Sequence, residues 1–357
     1  MSCNRALVAA RAFLVSLWIT IAALGVLGQA QEPATAYITF CVNTHDFIHP
    51  EESADTLLRL IELFESHGVR GDFYLTSPIV YAYADQRPDV LERLITSGMT
   101  ISYHVRPPHP AYRGFGNRLE GMDAEAATEL LTAYETTRLD LSTGGLIGDE
   151  PGGMSHLTEV FGEPPVAASI PYETWRPVLL PIWADMGAHV TVTYHEQGTS
   201  LHRPFVWRDG LLIRPSDFSI TRWAAPGREA ESFWWTMLDT PWASDFVPVD
   251  RLREELASWT AARPPFVTVL IHENNFYRQG ATPWADIYYE TKRKVTPRTP
   301  PFDLSTPDPS SPRTSANESD IWAAYSDLVA YAASRLSVVT SEDIVTMAEQ
   351  ISAADAP

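Results

Sequence analysis

Apolar and polar positions follow two rhythms along this chain, and they alternate. Tyr37-Ile38-Thr39-Phe40-Cys41-Val42 is a β-branched and aromatic run that predicts a strand buried on both faces. Ser53 then reads as the cap of a helix whose apolar positions Leu57, Leu58, Ile61, Leu63 and Phe64 keep a helical period, with Gly68 as its stop. A second strand is predicted over 72–76. Pro88 opens a helix over 89–96 that Gly98 closes, and a third strand over 99–103 delivers His104 at its carboxyl end. A helix over 124–141 leads into a Gly-rich loop at 144–153, followed by strands near 166–170, 189–194 and 210–213. A helix over 250–261 precedes the most apolar run, Phe266-Val267-Thr268-Val269-Leu270-Ile271. The Pro-, Ser- and Thr-rich stretch 296–315 predicts an irregular surface excursion. Helix 321–335, strand 336–339 and a helix capped at Ser341 close the chain.

Strand–helix alternation with no repeat and no linker predicts one α/β domain around a parallel sheet. A barrel is favoured over an open doubly wound sheet. No Gly-rich phosphate fingerprint follows the first strand, and polar residues gather just past several strand ends, where barrels keep their sites. The chain's head reads as an address. Arg5 and Arg11 precede an apolar run over 12–27 and the small-residue site Gly28-Gln29-Ala30, which predicts a signal peptide over 1–30 and a single catalytic domain over 31–357. That run has 16 residues, against about 20 for a membrane span; an uncleaved N-terminal anchor is the alternative. The expected location is therefore periplasmic or extracellular, with no integral membrane domain after cleavage.

Composition narrows the partners. At 357 residues and 45% hydrophobic content there is ample material for a core. Forty-five acidic against 26 basic residues give a net charge of −19, the wrong sign for nucleic acid or an anionic membrane. Cleavage would remove Cys3 and leave Cys41 alone, so no internal disulfide is expected.

Three polar clusters sit just beyond predicted strands: Asn43-Thr44-His45-Asp46 with His49 close behind, His104-Val105-Arg106-Pro107-Pro108-His109, and His272-Glu273-Asn274-Asn275. Strand carboxyl ends converge in a parallel barrel, so residues distant in sequence meet there. The two prolines exclude a helix between His104 and His109 and stiffen a bend that aims two imidazoles at one point. Two neutral nitrogens with one carboxylate, from Asp46, make a borderline-soft divalent site of the zinc type with positions open to water and substrate.

With these motifs the sequence resembles the polysaccharide deacetylase family, the NodB-homology carbohydrate esterases. The resemblance rests on the first-strand acidic motif, the block from Tyr37 to His109 and the late strand ending in His272. It implies an irregular (β/α) barrel. It also implies a divalent metal, zinc first and cobalt or nickel next, on Asp46, His104 and His109. His45 stands where the family keeps its general base, an aspartate, and His272 where it keeps its general acid. Tyr172 would offer a backbone N–H to the oxyanion. Two features depart from the family pattern: the histidine pair is five apart rather than four, and the arginine expected near Ser169-Ile170-Pro171-Tyr172-Glu173 is missing. Arg106, Asn274 and Trp223 are the expected substrate contacts, with flat rings suited to stacking on sugar faces. The resemblance implies a metal-dependent hydrolase that removes N-acyl groups from a glycan or small acylated sugar. The alternatives are a related hydrolase of another amide or ester, and a carbohydrate-binding relative that has lost catalysis.

Overall fold

A computed structural model describes residues 36–169, 175–192, 205–219, 247–260, 262–291 and 296–354. Ten strands form one sheet: β1 (Tyr37–Thr44), β2 (Asp72–Leu75), β3 (Thr100–His104), β4 (Ala167–Ser169), β5 (Val190–Val192), β6 (Val206–Arg208), β7 (Leu211–Ile213), β8 (Phe218–Ser219), β9 (Phe266–His272) and β10 (Ser337–Val338). Their order is β8-β9-β1-β2-β3-β4-β5-β7-β6, with β10 beside the start of β1. Every pairing is parallel except β6 with β7.

The connection from β7 to β8 forces this sheet to curl. Only residues 214–217 separate Ile213 from Phe218, so those two ends lie within about 18 Å of each other. On a flat sheet, seven strand spacings would hold them roughly 34 Å apart. The sheet is therefore rolled into a half-barrel, although no ladder among the described residues joins its two ends.

The roll gives each strand an outer and an inner face. Ile38, Phe40, Val42, Phe73, Leu75, Val267, Val269 and Ile271 belong to the main core. Against them pack helices α1 (Pro50–Ser66), α2 (Ser77–Gln86), α3 (Pro88–Thr96) and others of the outer layer: α4 (Ala124–Thr136), α5 (Gly153–Phe161), α6 (Arg176–Asp185), α7 (Pro248–Ser258) and α8 (Ser315–Arg335). Phe40, Phe64 and Tyr325 meet ring to ring there; burying one such side chain contributes roughly 2–3 kcal/mol. Residues of opposite parity, among them Cys41, Tyr74, Val190, Leu212, Phe266 and Leu270, form a second cluster with Ile344, Val345 and Ala348 of α9 (Ser341–Ala354). Ser341 donates from its Oγ (2.5 Å) and its backbone N–H (3.1 Å) to Asp72 at the start of β2, which seats α9 at the amino ends of the strands. Arg214, on the loop after β7, donates to Cys41 Sγ (2.8 Å) and the Tyr74 hydroxyl (2.9 Å) across the interior. The carboxyl ends are left for the site.

Several sequence expectations are corrected here. Ser53 caps nothing: α1 begins at Pro50, and the Ser53 hydroxyl pairs with Tyr83 at 2.7 Å. The helix read over 124–141 stops at Thr136, and the chain then forms a hairpin, Thr137–Leu139 with Leu146–Pro151, in place of a plain Gly-rich loop. Helices α2, α5 and α6 carry no caps or periods that the sequence reading picked out. The excursion over 296–315 is irregular as expected, but it is tied down: Phe302 is buried against Phe115 and Tyr288, and Ser311–Pro312 pairs with Arg278–Gln279. Among the described residues no helix is long and apolar enough to cross a membrane, and the segment read as a signal peptide lies outside them.

Gly152 and Gly153 carry the close crossing of α5 over the end of α4. A Cβ on Gly152 would lie 2.0 Å from the Thr137 carbonyl oxygen, and one on Gly153 (φ +49°) 2.4 Å from Glu135 Cα. Gly152→Ala is expected to lower the unfolding free energy in urea by about 2 kcal/mol or more. Gly148→Ala also meets a positive φ but has nothing within 4 Å of its Cβ, and should cost only about 1 kcal/mol.

Candidate active site at the carboxyl ends of the strands

The inner parity of three strands delivers the site. Asn43 of β1 lies opposite His272 of β9 in the parallel register, and His104 ends β3. His45 continues the inward series past the end of β1, and all three histidines are buried. His45 Nε2 lies 2.7 Å from His272 Nδ1. The ring of His104 stacks on that of His45, with centroids 5.6 Å apart. From behind, Trp284 donates its indole N–H to His45 Nδ1 at 3.0 Å.

A buried carboxylate organises the turn beneath this pair. Glu273 Oε1 accepts the backbone N–H groups of His45 (2.6 Å) and Asp46 (2.5 Å). Burial, with the Asp46 charge adding to it, pushes the Glu273 carboxyl up to about 8. The next residues close the same turn: the His272 backbone N–H donates to Asn275 Oδ1 (2.9 Å), and Arg313 donates to the Asn275 carbonyl (2.7 Å).

Asp46 is committed elsewhere. Its Oδ1 accepts the backbone N–H groups of Ile48 (3.2 Å) and His49 (3.3 Å), holding the entry to α1. Its Oδ2 accepts the Tyr277 hydroxyl (2.8 Å) and lies 3.1 Å from His49 Nδ1. His49 reaches on to Asp308 of the irregular excursion at 3.3 Å.

His104 and His109 line one small cavity of about 20 Å³, room for a water or a single ion, together with Arg106, Ser77, Tyr103 and Tyr134. Neither ring nitrogen of His104 makes a well-formed hydrogen bond among the described residues, with the Thr44 backbone as a polar neighbour. Burial, and then the Arg106 guanidinium, hold its imidazole well below the usual value, so the ring is neutral. His109 is pushed down to about 3 by burial. Its Nδ1 accepts the Ala111 N–H at 3.1 Å, which places the proton of the neutral ring on Nε2, facing Glu135 Oε1 at 3.8 Å.

Of the triad expected to hold zinc, His104 and His109 line one ion-sized cavity, and the oxygens of Asp46 are engaged by other groups. Asp46 spends its oxygens on α1, Tyr277 and His49. The lone pair of His109 points at a backbone amide. Among the described residues no three His, Cys, Asp or Glu side chains gather as a metal site. His45, read as a base, has the lone pair of its neutral ring occupied by Trp284. Arg106 lies at the cavity, its guanidinium 5.7 Å from the Tyr112 ring. Asn274 is buried, with neither side-chain polar atom paired among the described residues. Tyr172 and Trp223 lie outside the described residues.

Sequence reasoning gave no role to Tyr277 or Glu135, and took Trp284 only as one of the flat rings suited to stacking on sugar faces. Glu135 is fully buried on α4 and accepts the Trp183 indole N–H (2.9 Å) and the Met154 N–H (3.3 Å). Within its helix it reads as one more polar position, and no local signal marks it.

No family model matches the chain, and no curated protein matches it. Among solved structures it is similar to a putative polysaccharide deacetylase from Mycobacterium smegmatis, with 12% identity over 91% of this chain and 94% of that one (TM-score 0.49). It is also similar to a peptidoglycan deacetylase from Bacillus subtilis, with 12% identity over 90% of this chain and 95% of that one (TM-score 0.37). A 4-alpha-glucanotransferase from Thermococcus litoralis matches at 11% identity over 87% of this chain (TM-score 0.45), and the chain spans 40% of that protein's length. None of the three fixes a residue of the site.

Burial pushes the Glu135 carboxyl up to about 7 from 4.5. A carboxyl raised by folding binds its proton more tightly in the native state, so its contribution is present below about pH 4.5 and lost as pH rises through 7. The stability difference between wild type and Glu135→Gln is expected to fall by on the order of 3 kcal/mol between pH 4.5 and 8. Denaturant titrations across that range check it.

Proposed function

We propose that the protein is an exported hydrolase that removes an acyl group from a carbohydrate, working through imidazoles at the barrel mouth. The single observation that carries this reading is the buried, hydrogen-bonded pair of His45 and His272 beside the cavity that His104 lines. Acyl transfer to water needs an acceptor for the water proton, a donor at the developing oxyanion and a proton for the leaving group. His104 is neutral and supplies an available lone pair in the cavity. His272, next to His104 through His45, is the donor for the developing oxyanion, its Nε2–H passing from Asn43 to the substrate oxygen. The proton that His104 takes from water passes to the departing nitrogen or oxygen as the tetrahedral species collapses. The resemblance of the Tyr37–His109 block makes an N-acetylated sugar the first substrate to try. Arg106 lies at the cavity and is suited to the sugar's oxygens.

Acetate release from N-acetylated sugars is expected, measured beside aryl esters and cyclic amides to separate the substrate classes. His272→Ala should lower kcat by about 10²–10³-fold, the usual cost of losing one oxyanion donor. Glycan binding with no release of acid from any substrate would leave only a binding protein. Because Asp46 spends its oxygens on the entry to α1, Tyr277 and His49, the purified chain should hold less than one equivalent of zinc, cobalt or nickel. Stoichiometric metal lost on His104→Ala would overturn this imidazole mechanism in favour of a metal hydrolase.

A further inference from the structure

We infer that Trp284 is a positioning residue that fixes the direction of hydrogen bonding through the histidine pair and so makes His272 a neutral donor. An indole nitrogen can only donate. Its contact with His45 Nδ1 at 3.0 Å therefore makes that nitrogen an acceptor. The proton of neutral His45 must then sit on Nε2, where it donates to His272 Nδ1 at 2.7 Å. By the same rule His272 keeps its proton on Nε2. The last link closes the chain. The Asn43 side-chain amide lies 3.5 Å from His272 Nε2, with its NH2 end placed nearer, which would set donor against donor. Turning the amide over brings Oδ1, unpartnered among the described residues, to that N–H.

Neither ring of the pair can take a second proton without placing two N–H groups head to head. On His45 the clash would be with Trp284, and on His272 it would be with His45. His272 is therefore a neutral imidazole with its proton on Nε2, held by Asn43 Oδ1 until a stronger acceptor on the substrate takes that hydrogen bond. It acts by hydrogen bonding to developing charge, not by handing over a proton from an imidazolium. This differs from the general-acid role expected for it from sequence. It also goes beyond the hydrolase reading, since the tautomers can be read with no substrate present.

The test is nitrogen-15 NMR of the full chain labelled at histidine, at pH 7. In wild type, both His45 and His272 should show an unprotonated Nδ1 and a protonated Nε2. Trp284→Phe keeps the ring packing and removes only the donor. It should release His45 Nδ1, mix the tautomers of both rings and lower kcat by 10-fold or more, with KM within twofold. Should Trp284→Phe fail to fold, the wild-type spectrum decides alone: a proton on Nδ1 of either ring overturns the inference. Unchanged tautomers in a folded Trp284→Phe overturn it too. Absence of activity on every substrate would end the hydrolase reading and leave the tautomer assignment standing.

Discussion

Parallel pairing of β1 with β9, from Tyr37 opposite Phe266 to Asn43 opposite His272, sets two strand ends at the same height on the barrel mouth. Through it His45 and His272, 227 residues apart in sequence, come within 2.7 Å. A slip of one residue would turn every inward side chain of β1 outward, moving Cys41 and Asn43 into the helix-facing core and Phe40 and Val42 into the barrel. The apolar outer face forbids that slip. Packing of Phe40 and Val42 against the helices thus fixes the chemistry on the opposite side of the same strand.

The polar groups of the mouth form a continuous accounting of donors and acceptors. Glu273 takes two backbone amides, Asp46 takes two more and the Tyr277 hydroxyl, and Trp284 donates to His45. Buried polar groups cost about 1–3 kcal/mol each when left unpaired, so these bonds decide which side chains are free to act. They engage the oxygens of Asp46 and leave His104 in the cavity with no well-formed hydrogen bond on its ring among the described residues. The excursion over 296–315 contributes through Asp308, which meets His49 and so reaches Asp46.

Strands were the legible part of the fold. β1, β3 and β9 carry long apolar or β-branched runs, and their polar ends announced the three clusters that the structure gathers at one face. The α/β barrel class followed from the alternation. Helices α2, α5 and α6 were not legible. Ser77 and Arg176 open two of them beside prolines, and α6 contains Pro181, so packing against the sheet, not propensity, makes them helical. Glu135 and Trp284 were equally hidden, because nothing near them in sequence shows that one lies beside His109 and the other behind His45.

What the sequence determined alone was local: which runs form strands, where each ends, and that histidines and carboxylates follow those ends. Alternation and turn residues act over a few positions, and that is enough for such features. Which carboxylate faces which imidazole was decided only by the tertiary structure. Asp46 turns to the entry of α1 because unpaired amides stand there, and His45 turns its lone pair to Trp284 because β9 and the segment behind it bring that indole N–H within reach. The α1 amides are local, but Tyr277 on the other oxygen of Asp46 and Trp284 behind His45 come from more than 200 residues away, and no local pattern in the sequence carries that distance.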